Sequence, residues 1–141
     1  MTIPREQIRL VRDSFPEIAE LARPIAFLFY GRLFELAPEV RPMFKQDIAV
    51  QGRKLMDMLT TLVGHLDAFE HIEPALEALG QRHAGYGVRP EHYTMVTSSL
   101  IWALGRALDE EFLPDLKAAW VAVIEATATV MKRGAAALPP A

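Results

Sequence analysis

Leu76-Glu77-Ala78-Leu79-Gly80-Gln81-Arg82-His83-Ala84-Gly85-Tyr86-Gly87-Val88 is the stretch on which the reading of this chain turns. Leu76, Leu79 and His83 follow one another at spacings of three and four, which on a helix sets the imidazole on the apolar stripe. Gly85 and Gly87, one residue apart, then act as a stop. Pro74 opens this segment, predicted to run to His83, and Pro90 starts the next helix, which reaches about Leu108.

The same three-and-four spacing extends in both directions, and no alternating strand pattern of useful length interrupts it. Thr2 is placed to cap a first helix with Pro4 in its opening turn, and Ile8, Val11, Phe15 and Ile18 form its apolar stripe. A second helix spans about Leu21 to Leu36 and is ended by Ala37-Pro38, since the residue before a proline is pushed out of helical geometry. A short turn-like helix to Phe44 follows. Then comes a long one from about Ile48 to Leu66, with Leu55, Met58, Leu59, Leu62 and Val63 inward. Pro114 sits in the first turn of the last helix, which is expected to end near Arg133 at Gly134. The prediction is an all-α chain of unequal, crossed helices. Residues 1–134 form one domain and 135–141 a short flexible tail.

A chain of 141 residues has room for one ordinary domain and a sizeable core. Its 51% hydrophobic and 23% charged residues are near globular averages. Fifteen basic against eighteen acidic residues leave a net charge of -3, which argues against nucleic acid as a partner. The absence of cysteine excludes disulfides, thiolate metal sites and a thiol nucleophile. Charges run through the first apolar stretch, so no signal peptide is expected. No window approaches the length of a membrane span, and a cytoplasmic, membrane-free location is the expectation.

Four histidines, His65, His71, His83 and His92, are the candidates for metal or acid–base chemistry. None pairs with another at helical spacing, so a multi-histidine metal site is not expected. His65, His71 and His92 read as surface or cap residues. His83 is the one set to point inward, and on pattern alone it fits a satisfied core histidine as well as a ligand.

Ordered landmarks take the reading further. Leu28-Phe29-Tyr30-Gly31-Arg32-Leu33-Phe34, followed by Pro38 and Phe44, resembles the globin segment leading to a haem-contacting phenylalanine. Gln51-Gly52-Arg53-Lys54-Leu55 resembles the start of the distal helix. Leu79 to His83, then Gly85, Val88 and Tyr93, resembles the proximal segment of flavohaemoglobins, neuroglobins and single-domain bacterial globins, and Ala118-Ala119-Trp120 fits the same group. Each is weak alone; their order, from Thr2 to Arg133, is specific.

This resemblance implies a globin fold and a haem b held by His83, which needs only one protein ligand and an apolar slot. It places Leu79 and Val88 against the porphyrin on the proximal side and Phe44 beside it. Tyr30 and Gln51 come to the distal side, with Leu55 one turn on. A phenol and an amide donor there would stabilise negative charge on a bound gas. Lys54, or else Arg53, reaches a propionate in this reading, though surface ion pairing serves both equally. Tyr93 matches the tyrosine of a hydrogen-bonded proximal triad, but the position of its glutamate falls at Ala135. Glu125, ten residues back, lies about 15 Å away along a helix. Trp102, Trp120 and the methionines Met56, Met58, Met95 and Met131 are read as packing.

The function implied is reversible oxygen binding, with nitric oxide consumption to nitrate as a further activity requiring a separate reductase. A haem-based gas sensor or store and a haem-free helical interaction protein are the alternatives.

Overall fold

The computed structural model describes residues 3–137. Six α-helices follow in order: α1 (Arg5–Glu20), α2 (Ala22–Leu36), α3 (Ile48–Gly64), α4 (Glu73–Gly85), α5 (Pro90–Leu108) and α6 (Pro114–Ala136). Short 3-10 turns join some of them, at Pro38–Met43, Leu66–His71 and Asp109–Glu111. No strand occurs among the described residues.

Local chemistry sets most of these bounds. α4, α5 and α6 each carry a proline at the first or second position, where its missing N–H costs nothing. Asp47 caps α3 by accepting from the Val50 amide at 2.9 Å. At the start of α5 the Arg89 amide donates to His92 Nδ1 at 3.0 Å. His92 is therefore a cap, as expected, but a buried one at 2% exposure and not a surface residue. Its Nε2 lies 3.3 Å from Glu39 Oε1, outside hydrogen-bond geometry.

Three boundaries differ from expectation. The long third helix stops at Gly64, and Leu66–His71 is a separate 3-10 turn whose Leu66 and Phe69 are buried. Arg12 holds the approach to that turn, donating to the Val63 carbonyl at 3.1 Å and pairing with Asp67. α4 runs past His83 to Gly85, and the break comes at Gly87, whose φ of +99° suits only glycine. Gly134 does not end α6: it is buried inside the helix and packed on α4, so the helix continues to Ala136. The expected Thr2 cap and residues 138–141 of the expected tail lie outside the described residues.

α1 packs on α6, α2 on α3 and α5, and α4 on α6. α3 and α4 make at most marginal contact with one another. One core joins the rest, with Val11, Ile18, Ile25, Leu104, Trp120 and Val123 at its centre, all fully buried. Gly31, exposed within α2, has nothing within 4 Å of where a Cβ would stand. Gly31→Ala is therefore expected to stabilise the fold by about 0.5–1 kcal/mol through backbone entropy alone. A lowered midpoint in urea would refute that open-space reading.

Candidate functional site

α4 carries Leu79 and His83 on one face, as their i, i+4 spacing requires. His83 is half-buried, and its Nδ1 lies 2.9 Å from the Leu79 carbonyl oxygen. A carbonyl can only accept, so Nδ1 carries the proton and Nε2 keeps its lone pair. Burial pushes the imidazole pKa below its usual value, and the neighbouring Arg82 charge adds to this, against the smaller opposite effect of the Leu79 bond. A neutral imidazole with a free, unprotonated Nε2 is the state in which histidine binds a metal.

α2 and the Pro38–Met43 turn supply an aromatic group. The Tyr30 ring meets Phe29 at 4.7 Å, Phe44 at 5.4 Å and Phe34 at 6.0 Å, and Phe34 and Phe44 stand 5.5 Å apart. Most of these contacts are edge-on, the arrangement aromatic quadrupoles favour. Tyr30 is buried, and its hydroxyl donates to the Gln51 backbone carbonyl at 3.1 Å. Burial raises its pKa to about 12, so the phenol stays protonated, a donor, at any physiological pH.

The close approach of α3 to α2 brings Gln51 to Tyr30. Gly52 is buried where a Cβ would stand 2.8 Å from the Ala26 Cβ. Ala26 and Gly52 were not anticipated, and neither was Phe34 as a partner of Tyr30 and Phe44. Only the four-residue step from Tyr30 to Phe34 could have pointed to the last.

Phe44, Leu55, Leu79 and Val88 are half-buried, each packed against the core with part of its apolar surface uncovered. They come from the end of the first 3-10 turn, from α3, from α4 and from the loop after it. α3 packs on α2 and α4 on α6, with little contact between the two. The donor set and the separated helices fit a flat apolar group ligated at one side by a single imidazole. Lys54 and Arg53 are exposed on α3.

Tyr93 is buried on α5, and its hydroxyl has no hydrogen-bond partner among the described residues. Burial raises its pKa, which keeps the phenol neutral. No carboxylate stands at Ala135 to receive it. Of the two tryptophans, Trp120 is core packing, while Trp102 lies outside the core under Arg32 and Arg106, at 5.2 and 5.9 Å. Met131 is buried, and Met56, Met58 and Met95 are half-buried against the core.

A surface cleft of about 550 Å3 lies elsewhere, between α1 and the Leu66–His71 turn. Its Arg9 and Arg12 are already paired with Glu6, Asp13 and Asp67. It is lined by neither His83 nor Tyr30, Phe29, Phe34 or Phe44.

No helix of the described residues is long and apolar enough to cross a membrane, and no cluster of three or more His, Asp or Glu residues that could hold a metal ion occurs among them. The globin family model matches residues 28–131. A flavohemoprotein of Rhodopirellula baltica is 32% identical over 117 residues, 81% of this chain, which spans only 29% of that protein's length. Neuroglobin of Tetraodon nigroviridis is 28% identical over 139 residues, 89% of this chain and 87% of its own. An engineered carbene transferase from Rhodothermus marinus superposes with a TM-score of 0.85 at 26% identity, over 96% of this chain and 94% of that one. Flavohemoglobin of Malassezia yamatoensis, a structure with bound FAD and haem, shares the fold at a TM-score of 0.80 and 21% identity. It covers 96% of this chain and 37% of its own. With the family model matched from α2 through most of α6 and the helices crossed in the same way, the chain belongs to the globin family.

Proposed function

We propose that this protein is a haem globin that binds oxygen or a related diatomic gas reversibly, with His83 as the proximal ligand and Tyr30 and Gln51 on the opposite side. The observation that carries this reading is the His83 imidazole, held by Leu79 with its Nε2 lone pair free, in a chain that also sets a protonated Tyr30 against Gln51. Haem, when bound, would supply an iron to which the gas can bind.

The residues have distinct duties. His83 is oriented through its Nδ1 proton, and a neutral carbonyl partner leaves the ring less electron-rich than a carboxylate would. The unpartnered Tyr93 hydroxyl and the alanine at 135 point the same way, towards binding and away from bond-breaking chemistry. Phe44, Leu55, Leu79 and Val88 exclude water with their uncovered apolar surface, and Lys54 is the candidate cation for a propionate. Tyr30 has one phenolic proton, so serving a gas ligand means exchanging it away from the Gln51 carbonyl. The Gln51 amide is the second donor.

Nitric oxide consumption is the finer part of the proposal. Nitric oxide, dioxygen and one electron balance to nitrate, and the electron must come from a reductase. The flavohemoprotein relative, of whose length this chain matches less than a third, supports this part.

Ferrous protein, titrated optically with oxygen and nitric oxide, tests both parts. Tyr30→Phe and Gln51→Leu are each expected to release oxygen faster, by roughly the 5- to 10-fold that a hydrogen bond of about 1–1.5 kcal/mol represents. Unchanged release rates would remove both residues from the distal side. A stopped-flow trace in which the oxygenated protein survives excess nitric oxide sinks the dioxygenase part and leaves gas binding intact.

A further inference from the structure

α4 and α6 meet more closely than side chains permit, and two glycines make this possible. A Cβ on Gly80 would stand 2.0 Å from the Met131 carbonyl oxygen and 2.6 Å from its carbon. A Cβ on Gly134 would stand 2.3 Å from the Glu77 carbonyl oxygen and 2.6 Å from its Cα. The contacts are reciprocal: 80 meets 131 and 77 meets 134, so the two helices cross antiparallel with one glycine each facing the other's backbone. Arg133 straps the crossing from outside, pairing with Glu73 at 2.8 Å and Glu77 at 3.2 Å.

The hydrogen bond that orients the His83 ring belongs to the turn that contains Gly80. The imidazole hangs from the Leu79 carbonyl, one residue before the glycine, and its Cα is three residues after it. The obstacle facing each glycine is main chain, which no rotamer change can move aside. Any atom added at the crossing must therefore move one backbone against the other, and a shift of the α4 turn carries the His83 ring with it.

We infer that Gly80 and Gly134 are positioning residues for the proximal ligand: by seating α4 against the α6 backbone they set where His83 presents its Nε2. The inference rests on the reading of His83 as the haem ligand. A metal–imidazole bond is short and directional, so a small displacement of the ring alters its strain. Gly134 is the more telling of the pair, since it lies on a different helix from His83 and about fifty residues away in sequence.

Resonance Raman of the ferrous, ligand-free holoprotein reads the iron–histidine stretch directly. Gly134→Ala is expected to shift that band from its wild-type frequency. Gly85→Ala is the control: it lies two residues from His83, yet nothing stands within 4 Å of its Cβ position, so its band stays. A folded Gly134→Ala protein with a lowered melting temperature and an unmoved band overturns the inference and makes the glycine mere packing. A band that shifts as far in Gly85→Ala overturns it too. If Gly134→Ala alone fails to fold, the substitution is carried in a host with Gly31→Ala and Gly64→Ala, two open positions where alanine favours the helix, and the same two outcomes apply. Absence of an iron–histidine band in the wild type counts instead against His83 as ligand, so the two failures are distinct.

Discussion

His83→Ala protein is expected to lose the intense Soret absorption of a ligated haem while keeping its helical circular dichroism. The imidazole makes one local hydrogen bond, to the Leu79 carbonyl inside the same helix. Losing it costs the fold about 1 kcal/mol, a small part of the roughly 5–15 kcal/mol that holds a domain. The loss to the cofactor is of another order, because no second histidine stands at helical spacing from His83 and no cluster of metal-binding side chains occurs among the described residues. Haem affinity should fall by more than the roughly 10–100-fold typical when only an outer partner of a ligand is removed. His83→Gly with free imidazole in the medium is expected to recover the spectrum, since the small ligand can enter the space vacated. A five-coordinate ferrous spectrum retained by His83→Ala would end the proximal assignment, and with it the proposed function.

The second large effect is structural. Trp120→Ala should cost about 3–5 kcal/mol, the range for emptying a fully enclosed aromatic site, and leave the protein close to its folding threshold. Trp120 has no exposed surface, its ring lies 6.4 Å from Phe15, and its Nε1 donates to Ser14 Oγ at 3.0 Å. Ser14 Oγ in turn donates to the Val11 carbonyl at 2.9 Å, so the indole joins α6 to α1 at both an apolar and a polar point. Trp120→Phe, which keeps most of the bulk and loses the hydrogen bond, is expected to cost nearer 1–2 kcal/mol. Trp102→Ala supplies the contrast. That ring is 36% exposed and held mainly under two arginine side chains, worth about 0.5–1 kcal/mol at an exposed site. Urea unfolding of the three variants ranks them, and a Trp102→Ala loss larger than that of Trp120→Ala would mean the core has been misassigned.

The helix plan was largely legible in the chain because its signals are local. Proline in the opening turns of α4, α5 and α6, and Ala37-Pro38 after α2, act through φ and a missing N–H within one or two residues. His83 was legible to the same degree, since its place on an apolar stripe follows from the spacing to Leu76 and Leu79. What the residue does was not, because a satisfied core histidine leaves the same trace. Ordered likeness to a family supports the ligand reading proposed above, and the Nδ1 proton that the Leu79 carbonyl requires is consistent with it.

Gly134 marks where local reading stops. A glycine after a helical run is, by local chemistry, a terminator, and here it is a buried interior residue because Glu77, some fifty-seven positions earlier, brings its backbone to within a Cβ's reach. The buried His92 cap, the Gly52–Ala26 approach that brings Gln51 to Tyr30, and the 3-10 turn held by Arg12 belong to the same class.

By itself, then, the sequence determined an all-helical single chain, the bounds of most helices, and one inward histidine followed by a glycine break. Each of these depends on neighbours within a turn or two. Only the tertiary structure decided which glycines are contacts and which are stops, which nitrogen of His83 is free, and which carbonyl receives the Tyr30 proton. Those depend on the distance between backbones brought together from far along the chain, a quantity to which periodicity is blind.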